Sequence, residues 1–493
     1  MSGASGTLHG RQARRLPARR RPAQAVAVAL AALALAGCAQ FSADGGLDPA
    51  RTLATERFGT KVQPLRDDAA RAGVDAEIDQ LLASELDADA AVRIALLGSP
   101  TLQASFARLG IAEADLVQAG RLRNPVLSWM KVDNDGGDSK REGVLLFDVG
   151  NLLLMPLARE VEGRRFEAAQ LSAAAAVARV ALDARAAWFD AVAARQAERY
   201  QRDVVEAAEL GRDLAVRMAR VGNWPQGSAV REQLLYAESV AQLERARQHA
   251  VATRERLVRA LGLWGPRAEL KLPDRLPPLP DRLAGPGNVE AEAMRQRYDI
   301  AAARAGLEGT ARALGLTRAS RFVSLLELGP AQVREGDHDW MRGYELELSI
   351  PLFDWGGAKV AKAEAIYMQA AADAARVAID ARSEVRESWQ AWQSAWELAR
   401  HYRDEIVPLR KRISDERLRK YNGMLIGVFD LLADAGQQAA TINAAIAAQR
   451  DFWLADVRMQ AAMLGTGGPA GAAASPAGAP AGAMRAGAGA DPH

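Results

Sequence analysis

Hydrophobic positions in this chain change period several times, and the changes mark its elements. From Tyr344 to Ile350 apolar and polar residues alternate strictly, with Tyr344, Leu346, Leu348, Ile350 and Leu352 on one face and Glu345, Glu347 and Ser349 on the other. This period of two predicts a strand. About nine residues is the length of a strand that crosses a bilayer, apolar towards lipid and polar towards a lumen. Its expected partner begins near Arg321-Phe322-Val323, with the polar stretch 332–339 as the joining loop. In the first half, residues 125–133 and 143–153 take the same places around Asn134-Asp135-Gly136-Gly137-Asp138, and their weaker alternation leaves the register open.

Behind each strand pair the period becomes helical and stays so. No proline occurs between Leu157 and Gly222, and roughly 65 residues at about 1.5 Å each give a rod of about 100 Å. A second proline-free stretch runs from Gly357 to Pro408. Such lengths suit coiled-coil packing that spans a distance, and small side chains such as Ala173 to Ala176 let neighbouring helices approach closely. Each rod reaches a glycine-marked turn, Gly222-Asn223-Trp224-Pro225 or Asn422-Gly423, from which a second helix returns.

The order helix, strand, strand, very long helix thus occurs twice, at an offset of roughly 200 residues. Ala95-Leu96-Leu97 matches Ala293-Met294-Arg295, and Arg220-Val221-Gly222-Asn223 matches Lys420-Tyr421-Asn422-Gly423. Between them, Met155-Pro156-Leu157 against Ile350-Pro351-Leu352 is preferred to the rival pairing of Phe147-Asp148-Val149-Gly150 with Phe353-Asp354-Trp355-Gly356. The first lies nearer the flanking offsets. The expected organisation is a signal peptide (1–37), an N-terminal segment (38–86), a first repeat (87–265), a proline-rich connector (266–288), a second repeat (289–465) and a Gly/Ala/Pro-rich tail (466–493) too poor in apolar side chains to fold.

Composition changes the picture chiefly at the N-terminus. Arg11, Arg14, Arg15, Arg19, Arg20 and Arg21 precede an apolar run from about Ala25 to Ala36, which is the layout of a secretory signal and too short to span a bilayer. Leu35-Ala36-Gly37-Cys38 resembles the bacterial lipoprotein processing box. That resemblance implies cleavage before Cys38, acylation of this residue with several chains such as palmitate, and firm anchoring. Ala39 in the next position favours delivery to the outer membrane. Loss of six arginines takes the net charge from +2 to −4, so the basic balance belongs to the signal and gives no argument for nucleic-acid binding.

Chemistry on a substrate finds little support. A single cysteine excludes an intramolecular disulfide and a thiolate metal cluster. His9, His249, His338, His401 and His493 are scattered, with no partner at metal-ligand spacing. The Gly-rich segments lack the Gly-Lys-Ser/Thr of a phosphate loop, and no Ser/His/Asp arrangement suggests a triad. We therefore expect no enzyme, no cofactor and no metal. Four strands cannot close a barrel, which needs about eight, and open edges cannot face lipid. Membrane-crossing strands would have to come from several copies.

The duplicated unit, the passage Ser349-Ile350-Pro351-Leu352-Phe353-Asp354-Trp355-Gly356-Gly357 leading into an alanine-rich helix, and Tyr421-Asn422-Gly423 followed by Asp430-Leu431-Leu432 and Ala435 together resemble the TolC-type outer-membrane efflux channels, in their lipid-anchored branch. The resemblance implies a mainly α fold with a small β part: a homotrimer whose α-barrel continues into a 12-stranded transmembrane β-barrel. It further implies a passive exit duct from periplasm to exterior, partnered by a periplasmic adaptor, an inner-membrane pump and outer-membrane lipid. Asp430 and Asp434, four apart and so on one helical face, would form two acidic rings at the periplasmic mouth, cation-attracting in three copies. Tyr421, Arg419 and Lys420 would latch the closed tip, and Gly222 and Gly423 would form the tip turns. A lipid-anchored periplasmic coiled-coil scaffold without a pore is the alternative, and it leaves the two hairpins unexplained. The exported cargo is not legible in the chain.

Overall fold

A computed structural model of the chain describes residues 40–133, 138–283, 287–321 and 325–466. The expected signal peptide, Cys38, the 134–137 turn, Phe322, Val323 and the tail beyond residue 466 lie outside the described residues, as do residues 284–286 of the connector.

The described chain opens with α1 (Asp48–Phe58), α2 (Asp68–Leu82), α3 (Ala88–Gly98) and α4 (Pro100–Ala119). Asp67 and Asp87 start α2 and α3 by accepting the backbone N–H groups of Ala70 and Ala90 at 2.7 Å, which satisfies donors that the first helical turn leaves unpaired. Strands β1 (Val126–Asp133) and β2 (Ser139–Asp148) follow, then α5 (Val149–Arg220), whose 72 residues reach roughly 108 Å. Helix α6 (Gln226–Leu261) returns along it. The same order comes again as α7 (Val289–Gln296), α8 (Tyr298–Ser320), β3 (Leu326–Glu335), β4 (Met341–Leu348) and α9 (Gly357–His401). A π-helical turn (Tyr402–Ile406) leads into α10 (Val407–Asn422), and α11 (Val428–Leu464) closes the described chain. The expectation of a mainly helical fold with a small β part holds.

Several expected boundaries shift. The second strand ends at Asp148 rather than near residue 153, because the Asp148 carboxylate accepts the Asn151 N–H at 2.7 Å and starts a helix there. Met155-Pro156-Leu157 accordingly lies inside α5, whereas Ile350-Pro351-Leu352 stays outside any helix. The preferred pairing of these two segments is therefore wrong. The rival shares local chemistry, since Asp354 accepts the Gly356 N–H at 2.8 Å just before α9, as Asp148 does before α5. In the second hairpin the expected loop is too long, because residues 332–335 extend β3 and the turn begins at Gly336. Pro408 does not end the second rod: it sits in the first turn of α10, and the π turn ahead of it absorbs the altered hydrogen bonding.

The main core lies midway along the helices, where α3, α5, α6 and α11 meet. Trp188 is buried and donates its indole N–H to the Leu86 carbonyl at 2.7 Å, and Phe189 stacks on Trp453 with ring centroids 5.0 Å apart. The proline-rich connector is a strap rather than a free linker. Leu270, Leu272, Leu276 and Leu279 are buried, and the Pro277 carbonyl accepts from both Gln449 and Trp453. Proline suits a strap of this kind, because its fixed φ holds the segment extended and its missing N–H needs no partner.

Candidate functional site

The four strands form one antiparallel sheet in the order β1-β2-β3-β4, so the two hairpins join through β2 and β3. Residues opposite one another share a face. Leu328 stands between Phe147 and Leu346, with Leu326 opposite Leu348. Tyr344, Leu346 and Leu348 are exposed, Tyr344 at 82%. Trp129 lies on the same face, over Gly143, where a Cβ would come within 3.0 Å of its ring. One step along, Glu327 stands between Asp148 and Glu347, which sets three carboxylates side by side on the opposite face. Like charges in register repel, so this face needs water. Arg123 approaches Asp148 at 3.2 Å. The first hairpin resolves the open register with Trp129 opposite Gly143. It is apolar on both faces, with Val144 and Leu146 buried on the carboxylate face, which explains its weak alternation.

The opposite ends of the rods form a tip. The α5–α6 and α10–α11 turns lie together, because Trp224 packs on Phe429 with centroids 4.1 Å apart and Leu432 packs against Gly211. Gly222 adopts φ +78°, the left-handed conformation that glycine tolerates best. Gly423 does not: its φ is −82°, and Met424 takes the left-handed position at φ +58°.

The predicted tip residues separate. Asp430 is exposed, and its carboxylate accepts the Gly427 N–H at 3.1 Å as a cap of α11. Asp434 is 3% exposed and turned towards α10. Its Oδ1 accepts from Arg410 at 2.6 Å and lies 3.2 Å from Arg417, while Oδ2 accepts from Ser414 at 2.6 Å. Within the chain this carboxylate clamps two helices and does not face solvent. Arg419 and Lys420 approach Glu416 of their own helix, each at 3.9 Å, and Tyr421 is exposed. Among the described residues none of the three side chains forms a hydrogen bond or ion pair with a neighbouring helix. Sequence reasoning missed Arg410, Ser414 and Arg417, although their i, i+4, i+7 spacing places them on one face of α10.

Among the described residues no group of His, Cys, Asp and Glu could hold a metal ion, and no helix is long and apolar enough to cross a membrane.

No protein-family model matches the chain, and no curated protein does. The described residues nonetheless have the fold of the TolC-type bacterial outer-membrane channels. VceC, an outer membrane protein of Vibrio cholerae, superposes with a TM-score of 0.63 at 17% identity, over 79% of this chain and 96% of its own. The CmeC outer membrane channel of Campylobacter jejuni gives 0.61 at 15% identity, over 85% and 92%. The MtrE outer membrane channel of Neisseria gonorrhoeae, in an open state, gives 0.64 at 16% identity, over 76% and 88%.

Proposed function

We propose that this protein is the outer-membrane channel of a tripartite efflux or secretion system, a passive duct from periplasm to exterior. The observation that carries the reading is the two-faced sheet at one end of two rods of roughly 100 Å, α5 and the run of α9, the π turn and α10. Its apolar face, with Leu328, Tyr344, Leu346 and Leu348, suits lipid, and the row Asp148, Glu327 and Glu347 suits a water-filled lumen. Among the described residues the outer edges of β1 and β4 have no strand partner. In lipid such edges must be paired. Three copies would supply twelve strands and close the barrel, with the rods as a periplasmic α-barrel. The likeness in fold to known outer-membrane channels supports this assembly over a scaffold without a pore.

We further propose anchoring through Cys38. The Ser42 N–H and hydroxyl both donate to the Glu113 carboxylate near the end of α4, the helix that leads into β1. The start of the described chain is thus held towards the sheet, where a lipid on residue 38 would reach the membrane. An adaptor and an inner-membrane pump would engage the far tip, and the pump would supply the energy. At the tip, Asp430 is the acidic-ring candidate open to solvent, whereas Asp434 locks α10 to α11.

Purified protein in detergent should run as a heat-resistant trimer and give discrete single-channel steps in planar bilayers. Asp430→Ala should weaken block by multivalent cations. A monomer without conductance would sink the channel reading and favour the scaffold.

A further inference from the structure

Away from the rods, the apolar face of the sheet ends in a row of cations. Lys131 of β1 stands opposite Arg141 of β2, and Arg141 stands opposite Arg334 of β3. Each lies an even number of residues from Trp129, Phe147 or Leu328 on its own strand, so the row shares their face. Arg342 of β4, one step nearer the rods, is on that face too, opposite Gln332. Trp340 continues the alternation past Met341, and its ring lies 6.2 Å from that of Trp129. Like charges in register repel, and little on this face offsets them. Lys131 meets Asp133 at 2.8 Å, the carboxylate of this face at its outer end, and Arg334 donates to the His338 carbonyl at 3.0 Å. Arg141 and Arg342 are exposed and carry no hydrogen bond or ion pair among the described residues. The other carboxylates here lie elsewhere: Glu142 and Glu335 on the opposite face, where Glu142 pairs with Lys140 at 3.3 Å, and Asp138, Asp337 and Asp339 in the loops that join the strands. Asp135 belongs to the turn outside the described residues.

We propose that this row binds the phosphates of a diphosphorylated glycolipid of the outer leaflet, of the lipid A type. The inference rests on the channel reading, which turns this face towards lipid. Depth supports it. From Ile350 to Trp340 the chain advances roughly 33 Å at about 3.3 Å per residue, or about 25 Å across a bilayer at a strand tilt of about 40°. That is the height of the apolar band of an outer-membrane barrel, so the row and the two tryptophans fall where hydrocarbon gives way to headgroups. Guanidinium groups there match phosphate oxygens in pairs, while the stems of Lys131 and the arginines lie along the acyl chains. Width supports it as well. Lys131, Arg141 and Arg334 span two strand spacings, about 10 Å, which suits two phosphates carried at opposite ends of one disaccharide. A lipid with a single phosphate would engage one end of the row and leave the rest unpaired.

The test uses the full-length protein in a nonionic detergent, with fluorescent diphosphoryl lipid A as the probe and unlabelled lipids as competitors. Diphosphoryl lipid A should displace the probe at least about tenfold more effectively than monophosphoryl lipid A or phosphatidylglycerol, since each charge-assisted pair adds to the last. Added salt should weaken binding. Joint Arg141→Gln, Arg334→Gln and Arg342→Gln replacement should lower affinity about tenfold, and the same three positions changed to lysine should keep most of it. Lys140→Gln, on the opposite face, should leave it unchanged. Heat resistance on gels shows which variants assemble. Where the triple variant does not, Arg141→Gln alone carries the comparison with a severalfold loss, because that side chain holds no partner in the fold. Equal displacement by phosphatidylglycerol and lipid A would overturn the proposal, as would unchanged affinity in assembled glutamine variants or an equal loss with Lys140→Gln. So would a photoreactive side chain at residue 141 that captures only a second copy of this chain. Conductance is measured on the same preparation: a conducting protein that does not discriminate the lipids fails only this inference, and a non-conducting one fails the channel reading itself.

Discussion

Asp434 shows how far one side chain's role depends on what lies across from it. Its carboxylate is shared among Arg410, Ser414 and Arg417, so removing it leaves a largely buried guanidinium without its counter-charge. We predict that Asp434→Ala weakens the α10–α11 contact by about 3 kcal/mol. Hydrogen exchange across residues 407–422 should then speed up more than tenfold, with a rise in leak conductance; unchanged exchange would remove the clamp. The apolar pair Asp434→Leu with Arg410→Met should recover much of the protection. Asp456 gives a pH signature. Burial raises its pKa above the ordinary carboxylate value and outweighs the hydrogen bond from Gln460. The folded state therefore holds the proton to higher pH than the unfolded chain, and the stability tied to this group falls as pH rises through that window. We predict that Asp456→Asn flattens the fall in Tm as pH rises above the ordinary carboxylate range, and an unaltered profile would refute it.

At the scale of elements, the union of the two hairpins depends on Gly329. A Cβ there would overlap the Leu145 carbonyl across the β2–β3 pairing. Gly329→Ala should therefore part the hairpins and abolish heat-resistant assembly on gels, while Gly343→Ala, with open space around it, should not. Identical behaviour of the two variants would contradict the argument. The long helices were legible in sequence because alanine-rich, proline-free runs leave few other structures open. Their ends were not. Pro156 lies inside α5 and Pro408 inside the second rod, since a proline near a helix start or beside a π turn loses little hydrogen bonding. The strand from Tyr344 was legible because its alternation is strict, whereas the first hairpin, apolar on both faces, could not declare its register.

For the whole molecule, the proposed anchoring through Cys38 and the proposed pore are expected to be separable. The anchor is expected at the N-terminal side of the described chain, where Ser42 is tied to Glu113. We predict that Cys38→Ser abolishes acyl labelling and lowers outer-membrane yield severalfold, while trimers that do insert keep their conductance. Lost conductance in correctly inserted mutant trimers would contradict that division. The strap of residues 270–279 argues against free movement between the halves, because Leu270, Leu272 and Leu276 are built into the main core and Leu279 into a cluster with Ala399, Ala448 and Phe452.

Local pattern alone determined the kind of elements, their repeated order and the two rods, because periodicity and the lack of proline act within a few turns of chain. The glycine-marked tip turns were equally plain, although only Gly222 uses the left-handed conformation and Met424 takes that place in the second turn. Tertiary structure alone decided which carboxylate is buried, which three stand in a row and which apolar side chains stay in water. Asp430 and Asp434 share a helix and a spacing of four, yet one meets solvent and the other meets Arg410, because the position of α10 against α11 depends on packing between segments rather than on either sequence.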